Sequence, residues 1–297
     1  MRHTRERLVD IATVLPELAS LARETVRLHP RQGERGIADS KIGGTFLWPV
    51  DEAWPECQEH HSALIPVLQL TIEDVPELGF PSDSDLFQLL WCPNDHETLP
   101  PFYAPASEVF WRKKSNIQSP LTEFPKPLIS DKKYRLNPCV VYPERVIEYP
   151  HVYELADSLP HLLEKIETSP ALLQAIESIT EFDFDDSADT LYQYWLSVAD
   201  GTKVSGYPQW FQSPEIPTCR CGREMDYLLT LSSMEFDGGT WGRWLAEEDR
   251  QVWGKDVPYA VRQTVQSGAN LLDSGNLTFF ICRKCEGWPI ISIFQCD

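Results

Sequence analysis

The chain has 297 residues and a formal net charge of −19, with 45 acidic side chains against 26 basic ones. That balance repels a nucleic-acid backbone and attracts basic partners. No stretch approaches the ~20 apolar residues of a membrane span, and Asp10, Glu17 and Glu24 interrupt any secretory leader. A 42% hydrophobic content with ten tryptophans indicates a folded core, and 24 prolines against 15 glycines favour short strands over long helices.

In chain order, residues 4–28 place Leu8, Ile11, Leu15, Leu18 and Leu21 at helical spacing, with Pro16 kinking the segment. Residues 1–30 are therefore expected to form an N-terminal helical segment. A first β-rich unit is expected over 31–150. It opens on Lys41-Ile42-Gly43-Gly44 and continues with the buried strands ALIPVLQLTI and SDLFQLLWC; PCVVYPERVIEY closes it as a strand pair or one bent strand. The third segment, 151–297, starts with helices: HVYELADSLPHLLEKIE, then SPALLQAIESIT, then SADTLYQYWLSVADG stopped by Gly201. The acidic run 181–189 between the last two lacks the alternating ligands of a calcium loop and reads as a solvated helix approach. DGGTWG at 237–242 reads as a loop, and NLTFFICRKCEGWPIISIFQCD ends the chain as two strands joined by a turn.

Cysteines carry the sharpest signal. Cys219 and Cys221 form a C-x-C, and Cys282 and Cys285 a C-x-x-C. Close pairs of this kind bring thiolates within reach of one ion, and four sulfurs complete tetrahedral zinc, leaving no open position for water. The expected cofactor is thus a structural zinc on a knuckle in the second half. Without an export signal the eight cysteines read as ligands and buried thiols of a cytoplasmic protein.

The chain also repeats itself. SKIGGTFLWP matches TKVSGYPQWF, pairing Lys41 with Lys203, Gly44 with Gly206 and Trp48 with Trp210; VLQLTIED matches LLTLSSME, and SDLFQLLWC matches GNLTFFICRKC. Three blocks in one order argue for two copies of one unit. Cys57 and Cys219 fall at the same distance after Gly44 and Gly206, and Cys92 corresponds to Cys282. The first half keeps one cysteine where the second has each pair. His60, His61 and His96 offer a weaker metal site, although a degenerate remnant filled by packing is the favoured reading. The fold class expected is α+β: duplicated, mainly antiparallel β units with flanking helices and a zinc knuckle in the second half.

The K-I-G-G turn, the L-Q-L strand and the D-L-F-Q-L block resemble the bacterial YwqG-like family of unknown function. The second half, with K-V-x-G-Y-P-x-W, C-x-C and N-L-x-F-F-I-C-x-x-C, resembles the eukaryotic programmed cell death protein two family. The resemblance covers roughly 36–95 and 200–297. It implies a shared duplicated β-rich fold and, from the eukaryotic members, a chaperone that holds a strongly basic ribosomal protein. Ser205 stands where the second copy would carry glycine, and Thr71 follows Leu70 where an acid would end the strand.

No phosphate-cradling glycine loop is present, and no histidine motif surrounds a serine or cysteine nucleophile, so enzyme chemistry has little support. The expected function is a non-enzymatic, zinc-stabilised protein-binding module, a chaperone for a basic polypeptide, with an immunity protein that neutralises a toxin as the alternative. Trp241, Trp244 and Trp253, among the acids Glu247, Glu248 and Asp249, are the candidate partner contacts, against core filling for the same rings.

Overall fold

The computed structural model describes residues 2–179, 187–272 and 274–296. Its elements run α1 (Ile11–Val14), β1 (Arg23–Arg27), β2 (Arg31–Gln32), β3 (Lys41–Ile42), β4 (Ile65–Thr71), β5 (Leu86–Trp91), β6 (Ser107–Arg112), β7 (Cys139–Val140) and β8 (Glu144–Glu148). They continue with α2 (Val152–Ser158), α3 (Pro160–Glu167), α4 (Pro170–Ile176), α5 (Ala188–Leu191), β9 (Lys203–Val204), β10 (Asp226–Ser232), α6 (Trp241–Trp244), α7 (Tyr259–Gln266), β11 (Asn276–Ile281) and β12 (Ile290–Gln295). The architecture is α+β with two antiparallel sheets, ordered β12-β11-β10-β9-β1-β8 and β2-β7-β3-β4-β5-β6.

The sheets pack face to face. Alternation along the strands sends Leu68 and Leu70, then Phe87, Leu89 and Trp91, into the same core as Leu229, Leu231, Leu277, Phe279 and Ile281 of the other sheet. The opposite faces carry separate small cores, one around Trp48, Leu64 and Leu90 and one around Trp210, Met225 and Phe280. A helical layer of α2 to α5 buries Leu155, Leu162, Ile166, Leu172 and Trp195 beside them.

Two runs of strands share their geometry. Ile42 pairs with Leu68 and Leu68 with Leu89, while Val204 pairs with Leu229 and Leu229 with Phe279. Each run has a bulge at the corresponding place, between Pro66 and Leu68 and between Tyr227 and Leu229. Each also has two successive residues with positive φ after its lysine strand: Gly43 and Gly44 (61° and 72°), and Ser205 and Gly206 (60° and 82°).

Several expected elements differ. The N-terminal helix is short and followed by a 3-10 turn at Pro16–Leu21, and Arg23–Arg27 is a strand. Thr25 to Arg27 zip between β8 and β9, a non-local pairing that outweighs the apolar helical spacing. The segment expected to close the first unit as a strand pair or one bent strand is two strands, β7 and β8, that lie in different sheets and do not pair. The helix expected to reach Gly201 instead ends in a π turn at Tyr192–Leu196. Of the acidic run 181–189, residues 181–186 lie outside the described residues.

Candidate metal centres

Cys219 and Cys221 sit in a tight turn just before β10. Thr218 bridges Glu224, the Cys219 amide donates to Arg223 O (2.8 Å) and the Gly222 amide to Cys219 O (2.8 Å), with Gly222 at φ 81°. Cys282 and Cys285 follow β11 in a second turn, closed by Cys282 N to Pro289 O (3.0 Å) and by Gly287 at φ 74°. The turns face each other and bring all four Sγ atoms within 4.8 Å of one another.

Sγ of Cys219 lies 3.7 Å from that of Cys285, and Sγ of Cys221 lies 3.7 Å from that of Cys282. A disulfide needs about 2.05 Å. The edge of a sulfur tetrahedron around zinc, from Zn–S of about 2.3 Å, is about 3.8 Å. The amides of Lys284 and Cys285, assisted by Cys219 and Cys221, bring the Cys282 thiol down to about 7. Sharing with Cys221 and Cys219 pushes the Cys285 thiol up to about 12. One thiolate is thus favoured and its neighbour is penalised, a cost that a divalent cation removes.

The first half holds a second quartet. Cys57 and His60 occupy a turn bridged by Glu56 and Ala63, with the Cys57 amide donating to Ser62 O (2.8 Å). Cys92 follows β5, and His96 lies four residues on. Sγ of Cys57, Nδ1 of His60, Sγ of Cys92 and a ring nitrogen of His96 lie within 4.8 Å of one another. At this place, read from the sequence as a remnant filled by packing, Cys57, His60, Cys92 and His96 form a set able to hold a metal ion, with Cys57 and Cys92 also packed against Trp48 and Leu90. His61 is outside it, exposed and at φ 47°. The signal was present as C-x-x-H and C-x-x-x-H spacings, obscured because a histidine takes the second place in each knuckle.

The three tryptophans of the insertion separate. Trp244 is buried, its Nε1 donating to Tyr194 O (2.8 Å) beneath the Arg27 guanidinium. It fills core and has no surface to offer a partner. Trp241 and Trp253 are half-buried against each other and Phe236.

A groove that sequence reasoning missed lies where β6 and β12 end their sheets. Ser107, Val109 and Trp111 of β6 line it with Phe279, Trp288 and Ile290. Trp111 and Trp288 meet edge to face at 5.9 Å. Trp111 Nε1 and Ser107 Oγ are buried without a hydrogen-bond partner among the described residues.

The chain belongs to the family described as a domain of unknown function (DUF1963), whose model matches residues 40–257, from β3 to β10 and α6, and ends before β11 and β12. No curated protein matches the chain. Among the described residues no helix is long and apolar enough to cross a membrane.

Proposed function

We propose that this protein is a non-enzymatic module that holds a basic polypeptide segment along the groove between β6 and β12. The observation that carries the reading is the groove itself, walled by Trp111 and Trp288 where β6 and β12 are the last strands of their sheets. An extended segment can add to the open edge of a sheet through backbone hydrogen bonds, and β6 and β12 are such edges. Aromatic walls from Trp111 and Trp288 give short-range burial, and the net charge of −19 gives long-range attraction to a basic client.

In this reading Cys219, Cys221, Cys282 and Cys285 bind one structural zinc that fixes the turn leading from β11 into β12. The two halves are copies of one unit, supported by their common strand order, register and bulge position. Eight free cysteines suit the reducing cytoplasm.

Affinity capture from the native host at low and at high salt, read by mass spectrometry, tests the proposal. Basic clients that are lost at high salt support it. A single tightly held, toxin-like partner favours an immunity protein instead. Recovery of no partner, with turnover in a metabolite screen, refutes the class.

A further inference from the structure

We infer that Cys57, His60, Cys92 and His96 hold a second zinc ion, bound through two sulfurs and two imidazole nitrogens. The distances carry it first. His60 Nδ1 lies 3.6 Å from Cys57 Sγ and 3.4 Å from Cys92 Sγ, and His96 Nε2 lies 3.2 Å from Cys57 Sγ. With Zn–S of about 2.3 Å and Zn–N of about 2.0–2.1 Å, the sulfur–nitrogen edge of a tetrahedron is about 3.5 Å. Hydrogen bonding alone would pair thiols and imidazoles two by two. Here one nitrogen is shared by two sulfurs at nearly equal distance, as around a central ion.

Backbone groups hold the His96 ring in place. His96 Nδ1 lies 3.0 Å from Ala104 O and 3.1 Å from Ala106 N, and only one of these bonds forms in a given tautomer. Donation to Ala104 O leaves the Nε2 lone pair directed at the quartet, the usual outer-shell arrangement of a metal-bound imidazole. Asn94 Nδ2 donates to Cys92 Sγ (3.5 Å) and the His60 amide to Cys57 Sγ (3.5 Å), fixing both sulfurs in place. The Glu59 carboxylate accepts from the amides of Glu97, Thr98 and Leu99 (3.0, 3.1 and 3.2 Å), tying the segment after His96 to the turn that carries His60.

Charge fits burial. Two thiolates neutralise Zn²⁺, and three of these four ligands are buried. Four thiolates leave a net charge of about −2, and the quartet of Cys219, Cys221, Cys282 and Cys285 keeps Cys221 exposed and Cys285 half-buried. A tetrahedral S₂N₂ donor set selects zinc over the hard cations.

Metal analysis and X-ray absorption on the intact, untagged protein test the inference without any variant. The expected result is two zinc ions per chain, with a mean shell of three sulfurs and one nitrogen from the two quartets. Cys92→Ser should lose one zinc while keeping an all-sulfur shell. One zinc per chain in an all-sulfur shell in the unaltered protein overturns the inference. One zinc in a two-sulfur, two-nitrogen shell would support it and remove the zinc assigned to the cysteine quartet.

Discussion

Gln69 and Gln88 show how much one side chain can organise. Gln69 Oε1 accepts from Leu47 N (3.0 Å) and Gln88 Nε2 (2.8 Å), while its Nε2 donates to Ile37 O (2.8 Å) and Asp39 O (2.9 Å). The central residue of the L-Q-L motif thus ties down the loops on both sides of β3. Gln69→Leu should destabilise the chain by roughly 2–4 kcal/mol, measured by denaturant unfolding, because it orphans several buried groups at once. Gly44 and Gly206 occupy matching places in the two runs but meet different surroundings. A Cβ on Gly206 would collide with the Glu148 carboxylate and sit 2.7 Å from Thr25 Cβ, whereas on Gly44 it meets nothing nearer than 3.7 Å. Gly44→Ala should cost about 1–2 kcal/mol, the strain of the left-handed backbone, and Gly206→Ala clearly more; equal losses would contradict the geometry. Asp200 carries one source of pH dependence. Burial, then the nearby Asp237 charge, raises its carboxyl from 3.8 to about 7. The folded state therefore keeps a proton that the unfolded chain releases, so stability falls as pH rises from about 4 to about 7. Relative to Asp200→Asn, the unaltered protein should lose on the order of 3 kcal/mol across that window. Parallel stability curves would rule this out. Partners such as Glu148, buried against Lys203, could not be foreseen, because they come from positions distant in the chain.

At the scale of elements, local signals were legible and non-local ones were not. The α2 and α3 helices, the prolines that begin α3 and α4, and the strands β4, β5, β11 and β12 follow from periodicity, turn residues and apolar runs. β1 was hidden because Thr25, Val26 and Arg27 gain their strand identity only from β8 and β9. The C-x-C and C-x-x-C turns were legible because thiolate spacing is itself the chemistry. His60 and His96 were legible as candidates for a weaker metal site, but that they group with both cysteines while His61 does not came only with the fold, which brings Cys92 back to Cys57. Metal removal separates these elements from the rest. A strong chelator should lower the melting temperature by more than about 10 °C, because ligand-set binding energy contributes to folding energy. Cys282→Ser should lose the zinc of its own quartet, read by metal analysis. An unchanged melting temperature and zinc content in these two experiments would contradict the structural role.

On the scale of the whole molecule, two sheets share one core and are tied together across the halves. The Arg283 guanidinium, next to Cys282, donates to Gly79 O (2.6 Å) and Leu78 O (2.7 Å) of the first half. The second knuckle is thereby fastened to the opposite unit, close to the groove walled by Trp111 and Trp288. Composition pointed to an acidic binding protein with candidate contacts on the aromatic insertion, where Trp244 is buried; the groove proposed for the client lies between β6 and β12. Hydrogen exchange on the protein with and without a captured basic client tests this most directly. The account predicts slowed amide exchange across 107–112 and 290–295, weakened by salt and lost in Trp111→Ala. Client-dependent protection confined to other surfaces, with β6 and β12 unchanged, would contradict it.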